Sequence, residues 1–304
     1  MTDFIPGIVF TWLAIWILFA FTTNLLYPLV RPVIMGLHPA GGSRLLFSWI
    51  TLPAFSALVS CLLLFAPMLN LMQQDPQCLT GGCGFNLNAG ALVGPPAAII
   101  SAWLVLSCLT IYYRYWLPAQ RLSRQLQLTS TPAGRYSSLA VETPAAFTIG
   151  WLKPRIYLTE GLLAQCDKDD VECILSHEEA HRRRRDGLHQ LLIRMFTSVL
   201  PSRLVRRQLD DYTLLCEQAC DQEATKQLPD DQVAGTLLKI ARLQSQRLPH
   251  AAATFVGGHV EARIMALFQP SQQGSSRLHT LLWAGLTLFL VSAPALSFHW
   301  LILR

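Results

Sequence analysis

Between residues 176 and 186 the chain reads SHEEAHRRRRD. Residues four apart share a face of a helix, so His177 and His181 can aim their imidazoles at a single metal ion. Glu178 lies about 100° round the same helix, close enough to take a proton from a water activated there without being a ligand. This is the chemistry of an H-E-x-x-H arrangement, zinc-assisted hydrolysis. Hydrolysis also needs a third protein ligand and one open position. The segment CEQACDQ supplies Glu217 and Asp221, again four apart. Glu217 can complete the ligand set, and Asp221 can hydrogen-bond a ligand histidine and fix its ring.

Other residues nearby compete for roles. A solvated charged helix also carries His and Glu, so the five-residue pattern gains its force from context. Cys216 and Cys220 flank Glu217 and are soft ligands; binding with both histidines, they would close the site and make it structural. That reading leaves Glu178 without a purpose. Arg182 to Arg185 spread round a full turn, where lipid headgroups and nearby acids are their ordinary partners. Arg184 or Arg185, three or four beyond His181, can instead face the cleft and meet an acidic substrate. Glu179 and Glu223 are read as solvated or paired with arginines. His259 and Arg263, in GGHVEARIM, are candidates for an oxyanion or substrate contact.

The elements that position these residues follow from composition. Of 304 residues 52% are hydrophobic and 14% charged, which excludes an ordinary soluble protein. Residues 4–30, 45–72, 89–113 and 279–303 contain no Asp, Glu, Lys or Arg. Each is as long as the roughly 20 residues a helix needs to cross a bilayer. The acidic MTDF start and the absence of an A-x-A site make the first a retained anchor, not a cleaved signal.

Arg31 and Arg44 mark the first connection and Asp75 the second, while Arg114, Arg121, Arg124 and Arg277 flank the third and fourth helices. The positive-inside bias puts both termini outside and residues from about 115 to 278 in the cytoplasm, with Arg304 as an exception. The expected plan is a membrane domain with three helices (1–115), a cytoplasmic domain (116–278) and a fourth membrane helix (279–304). Cys78 and Cys83 flank LTGG in the outer loop, where an oxidising compartment permits a disulfide. The net charge of +5 reflects basic residues gathered on the side facing anionic lipid. No basic surface interleaved with aromatics suggests a nucleic-acid partner.

Within the cytoplasmic segment, residues 115–127 continue the third helix and TSTPAGRYSS (129–138) reads as loop. SLAV (138–141), AAFTIG (145–150) and RIYL (155–158) have strand character, the last two forming a hairpin. Thr159 caps a short helix. Asp167 to Asp170 start the next, expected to run unbroken through VECILSHEEAHRRRRDGLHQLL, with further helices at 203–228 and from Asp231. The result is a mostly α domain with a small sheet ahead of its central helix.

The strings ETPAAFTIGWLKPRIYLTEGLL, ILSHEEAHRRRRDGLHQLL and CEQACDQEA, with flanking membrane helices, resemble the BlaR/MecR-type integral-membrane zinc peptidases, family fifty-six of the metallopeptidases. The resemblance covers roughly residues 136 to 268. It implies an α-helical multi-pass membrane protein with four spans and a zincin-like domain of the gluzincin type in a bacterial cytoplasmic membrane. It implies one zinc ion per chain on His177, His181 and Glu217, with Glu178 as general base, and Asp186, five residues after the second histidine, orienting the site. The chain shows no penicillin-binding sensor domain after the fourth helix, so a β-lactam receptor role does not carry over.

The expected activity is cleavage of a cytoplasmic or membrane-associated protein, such as a transcriptional repressor, in antirepressor-like signalling. Quality control of membrane proteins, resembling the related heat-shock membrane zinc peptidases, is one alternative. A non-catalytic transducer that retains the peptidase fold is another.

Overall fold

The apolar N-terminal run folds as two helices. The computed structural model describes residues 4–65, 109–198, 200–245 and 250–268, with scattered helical positions from 99 to 107. Helix α1 spans Phe4–Met35 and α2 spans Pro39–Phe65. Over Trp12–Met35 and Pro39–Leu62 both are long and apolar enough to cross a membrane. The first connection, expected over 31–44, is far shorter than that. Only positions 36–38 separate the helices, because Pro39 is tolerated in a first helical turn, where its missing N–H is not needed. Most of the expected third membrane helix, the fourth, and the Cys78–Cys83 pair lie outside the described residues.

Gly42 lets the start of α2 approach its neighbours closely. A Cβ there would lie 2.9 Å from the Ile34 carbonyl oxygen and 3.2 Å from the Leu215 side chain. Leu215 belongs to α7, Ser202–Ala224, a helix of the peptidase-like region. The contact is reinforced by polar groups. Tyr27 Oη donates to Asp211 Oδ2 at 2.7 Å, and Arg31 donates to both Asp211 oxygens at 2.6 and 2.8 Å. One turn earlier, Gln208 donates to Asn24 Oδ1 at 3.0 Å. Around them pack Ile34, Leu46, Trp49, Ile193 and Leu215, which bury the seam between the apolar pair and α7.

A short π-helical turn at Tyr112–Trp116 leads into α3, Leu117–Thr129. A four-stranded sheet follows in the order β1-β2-β4-β3, with β1 Ser130–Ala133, β2 Tyr136–Leu139, β3 Ala146–Ile149 and β4 Arg155–Thr159. The β3–β4 hairpin is antiparallel, as expected, and β2 pairs with β4 in parallel. The stretch at 129–138, read as loop, forms the β1–β2 hairpin, which turns at Gly134 with φ 76°. Its mostly exposed Ser, Thr and Pro side chains left no apolar period to read. Among the described residues β3 is an edge strand, with β4 on one side of its backbone and no strand on the other.

Thr159 caps α4, Glu160–Leu163. Helix α5, Lys168–Arg184, opens with a capping box: Asp167 accepts from the Asp170 N–H at 2.8 Å, and Asp170 accepts from the Asp167 N–H at 3.3 Å. Ile174 and Leu175 of α5 pack against Ile156 and Leu158 of the sheet. The expected unbroken helix ends at Arg185, whose φ of 55° and ψ of 42° turn the chain into α6, Asp186–Thr197. Helices α8, Asp230–Ser245, and α9, His250–Phe268, close the fold over α5 and α7.

Two stability predictions follow from these seams. Asp211→Ala leaves Arg31 and the Tyr27 hydroxyl without their acceptor. It should cost about 2 kcal/mol or more, whereas Asp210→Ala, which loses only a surface pair with Arg206, should cost under about 1 kcal/mol. Denaturation of the detergent-solubilised protein measures both. Asp170 is the second case. Burial alone would raise its carboxyl, yet hydrogen bonds from Lys239, Thr236 and the Asp167 backbone hold it below the usual carboxylate range. A depressed folded-state pKa stabilises the fold above the ordinary carboxylate pKa, and that contribution is lost as pH falls through the lower one. The melting-temperature advantage of wild type over Asp170→Asn should therefore be present near neutrality and shrink below about pH 4.

Candidate metal centre and cleft

Helix α5 supplies both histidines and α7 faces them. The two Nε2 atoms lie 3.1 Å apart, and the two Glu217 oxygens stand 3.5 Å from one Nε2 each. The three residues offer ligand atoms all within 4.8 Å of one another. Two imidazole nitrogens and a carboxylate oxygen are a donor set that zinc accepts, with a fourth position left over. All three residues line a cavity of about 770 Å³.

Carboxylates fix both rings. His177 Nδ1 is 2.9 Å from Asp221 Oδ1, and His181 Nδ1 is 2.8 Å from Asp186 Oδ2. Each bond turns the Nε2 side toward Glu217. Both carboxylates are buried and are in turn clamped by arginines. Arg263, from α9, donates to the two Asp221 oxygens at 2.8 and 2.7 Å and reaches Glu217 at 3.1 Å. Arg184 donates to both Asp186 oxygens at 3.2 Å and to Ser43 Oγ of α2 at 2.9 Å.

The charge balance of this cluster favours a cation. Burial works against charge on every member. Even so, hydrogen bonds from the histidines and the charge of Arg263 hold Glu217 well below its usual range. Arg263 and His177 hold Asp221 low, and His181 and Arg184 do the same for Asp186. The same carboxylates raise His177 and raise His181 further. An ionised Glu217 and the deprotonated imidazoles are the forms that would hold a divalent cation, with protons as competitors.

Glu178 is buried beside the ligands and lines the cavity. Its Oε2 accepts from the Thr148 hydroxyl at 2.8 Å, and Thr148 also bonds the Glu178 carbonyl at 3.2 Å. Thr148 sits on the edge strand β3, so the carboxylate is tethered to the strand that borders the cleft. Sequence reasoning passed over Thr148. The only available signal was a hydroxyl within an expected edge strand. The clamping roles of Arg184 and Arg263 were missed too, because a buried partner cannot be read from spacing alone.

The rival cysteines lie elsewhere. Cys216 and Cys220 are fully buried. Cys216 faces Arg184 at 3.6 Å, and Cys220 faces Asp186 at 3.7 Å. His181, Asp186 and Cys220 form a second convergent group. Burial pushes the Cys216 thiol up to about 12 and that of Cys220 up to about 11, so both are neutral thiols in the metal-free protein. Asp186 is also occupied by Arg184. The open group on His177, His181 and Glu217 is therefore the better metal site.

Arg182 pairs with Glu179, and Arg183 with Glu223, on the surface. Arg184 turns inward, whereas Arg185 lines the cavity. His259 lines it as well.

Comparison with known proteins agrees with this chemistry at a coarse level. Residues 118–248, which include β3, all of α5 and all of α7, match the model of Peptidase family M48. No curated protein and no solved structure matched the chain. Peptidases of this family are typically zinc-dependent, so the match supports a zinc metallopeptidase. The narrower likeness to BlaR/MecR-type peptidases is a separate assignment that this match does not carry.

Proposed function

We propose that the chain is a membrane-bound zinc endopeptidase that cleaves a cytoplasmic or membrane-associated protein, acting in regulatory signalling. The observation that carries the peptidase reading is the convergence of His177, His181 and Glu217 beside Glu178 on an open cleft bordered by β3, a strand edge left unpaired among the described residues. A zinc ion held by these three ligands would supply polarisation of the scissile carbonyl and acidification of water. The chain's own residues do the rest. Asp221 and Asp186 keep the ligand nitrogens aimed inward. Glu178 takes the proton of the attacking water and returns it to the leaving amine. The free edge of β3 holds an extended peptide by backbone hydrogen bonds, as in β-strand addition. His259, which lines the cleft, is the candidate for contact with the developing oxyanion.

Membrane attachment is supported by α1 and α2 and by their polar lock to α7. The Arg31 end of α1 lies against the peptidase region. A spanning α1 therefore puts that region on the side where its positive end emerges, the cytoplasmic side by the positive-inside rule. Regulatory cleavage of a repressor-like partner rests on the BlaR/MecR resemblance. A second reading, quality control of membrane proteins, is favoured by the packing of the catalytic region directly on α1 and α2. Substrates trapped on Glu178→Gln distinguish them: a single soluble partner supports regulation, and a broad set of membrane proteins supports quality control.

Elemental analysis of detergent-purified protein, paired with peptide hydrolysis, tests the chemistry. Wild type and Glu178→Gln should each hold about one zinc per chain, while Glu178→Gln should lose 10²-fold or more of the hydrolysis rate, an order of magnitude typical for a general base. Glu217→Ala should lose most of the metal. Folded wild type without zinc would overturn the peptidase reading and leave the non-catalytic transducer.

A further inference from the structure

The ion pairs described above take up most of the arginines near the site, but two that border the cleft stand apart. Arg185 and Arg194 both line the cavity, along with Gln190. Both lie toward Gly150 and Trp151: a Cβ on Gly187, two residues after Arg185, would stand 3.7 Å from the Gly150 carbonyl oxygen, and Trp116, next to Tyr115, stacks on Trp151. Among the described residues neither forms an ion pair with a carboxylate. The guanidinium of Arg194 lies over the Tyr115 ring, 5.3 Å from its centre, which orients the charge without neutralising it.

Arg185 carries a second peculiarity. It is the one described non-glycine residue with positive φ, at the kink between α5 and α6. An L residue with a side chain is disfavoured there relative to glycine, which adopts the conformation freely. The conformation is that of a left-handed helix cap, with the Arg185 N–H on the Arg182 and His181 carbonyls, a position where glycine is the usual residue and arginine stands instead. Nothing in the packing needs it, for the side chain is exposed on the cleft wall.

Position along the cleft fixes where these charges act. Thr148 bonds Glu178 and so marks the place on β3 beside the proton-transferring carboxylate. Gly150 is two residues further on, just past the end of β3. A peptide that adds antiparallel to β3, the more stable pairing, runs from the Gly150 end toward Ala146. Its residues N-terminal to the scissile bond then lie beside the two arginines.

Resting on the peptidase reading, we propose that Arg185 and Arg194 select substrates with an acidic side chain, Asp or Glu, two or three residues N-terminal to the scissile bond.

The test uses the full chain in detergent with a fluorogenic peptide library varied at single positions. Wild type should cleave peptides with Asp or Glu at those positions roughly ten-fold faster in kcat/KM than their Asn or Gln counterparts, the scale of one charge-assisted hydrogen bond. Arg185→Gly and Arg194→Gln should each lose most of that ratio while keeping zinc content and the turnover of neutral peptides. Arg185→Lys should keep part of it. Because glycine relieves the backbone strain, Arg185→Gly should also melt no lower than wild type, so lost selectivity cannot be ascribed to misfolding. Binding of the same peptides to Glu178→Gln, followed by fluorescence anisotropy, should show the same preference without turnover.

Cleavage with no acidic preference, or a preference unchanged in both variants, overturns the proposal and leaves the peptidase reading intact. An effect of the variants on binding that appears only when anionic lipid is added also overturns it, assigning the arginines to headgroups instead. Absence of both zinc and hydrolysis refutes the underlying peptidase reading itself.

Discussion

Two buried carboxylates, each held between a histidine and an arginine, are the constraint on which the site depends. Asp221 joins His177 to Arg263, and Asp186 joins His181 to Arg184. An unpaired carboxylate at such depth would cost several kcal/mol, and the clamps on both sides offset that cost. In return the imidazoles lose their freedom to rotate, so their Nε2 atoms converge with Glu217 without help from the metal. The arginines come from outside the H-E-x-x-H turn. Arg263 brings α9 to the site, and Arg184 ties the end of α5 to Ser43 of α2. The centre is thus assembled from four separate parts of the chain and stands only if all four are docked.

That assembly joins the apolar pair to the chemistry. Helix α7 bears Asp211 toward α1 and, further along, Glu217 and Asp221 toward the histidines. The buried charge lock at Asp211 and the ligand Glu217 thus stand six positions apart on one helix. Helix α6 runs from the centre along the apolar helices, its Phe196 meeting Trp16 and Phe55. The side chains that hold α1 and α2 in place are therefore within a few turns of those that hold the ligands.

Much of this was legible in the sequence, for a physical reason. His177, Glu178, His181, Glu217 and Asp221 are recognisable because helical spacing converts local order into shared faces. The hairpin at 146–159 and the caps at Thr159 and Asp167 were legible through local turn and capping chemistry. The failures have a different character. The break at Arg185 left no glycine or proline to announce it, since an arginine takes the left-handed cap position that glycine usually fills. β1 was hidden because its ladder is held by backbone bonds between exposed polar residues. Thr148, Arg184 and Arg263 act across contacts between elements distant in sequence, which no local pattern encodes.

The central claim is that the metal belongs to His177, His181 and Glu217, and not to the buried neighbour group of His181, Asp186 and Cys220. X-ray absorption at the zinc edge separates the two directly. The predicted spectrum shows only nitrogen and oxygen scatterers at about 2.0–2.1 Å, with imidazole outer-shell features from two rings. A sulfur scatterer near about 2.3 Å would place the metal on Cys220, close the open position, and contradict the account.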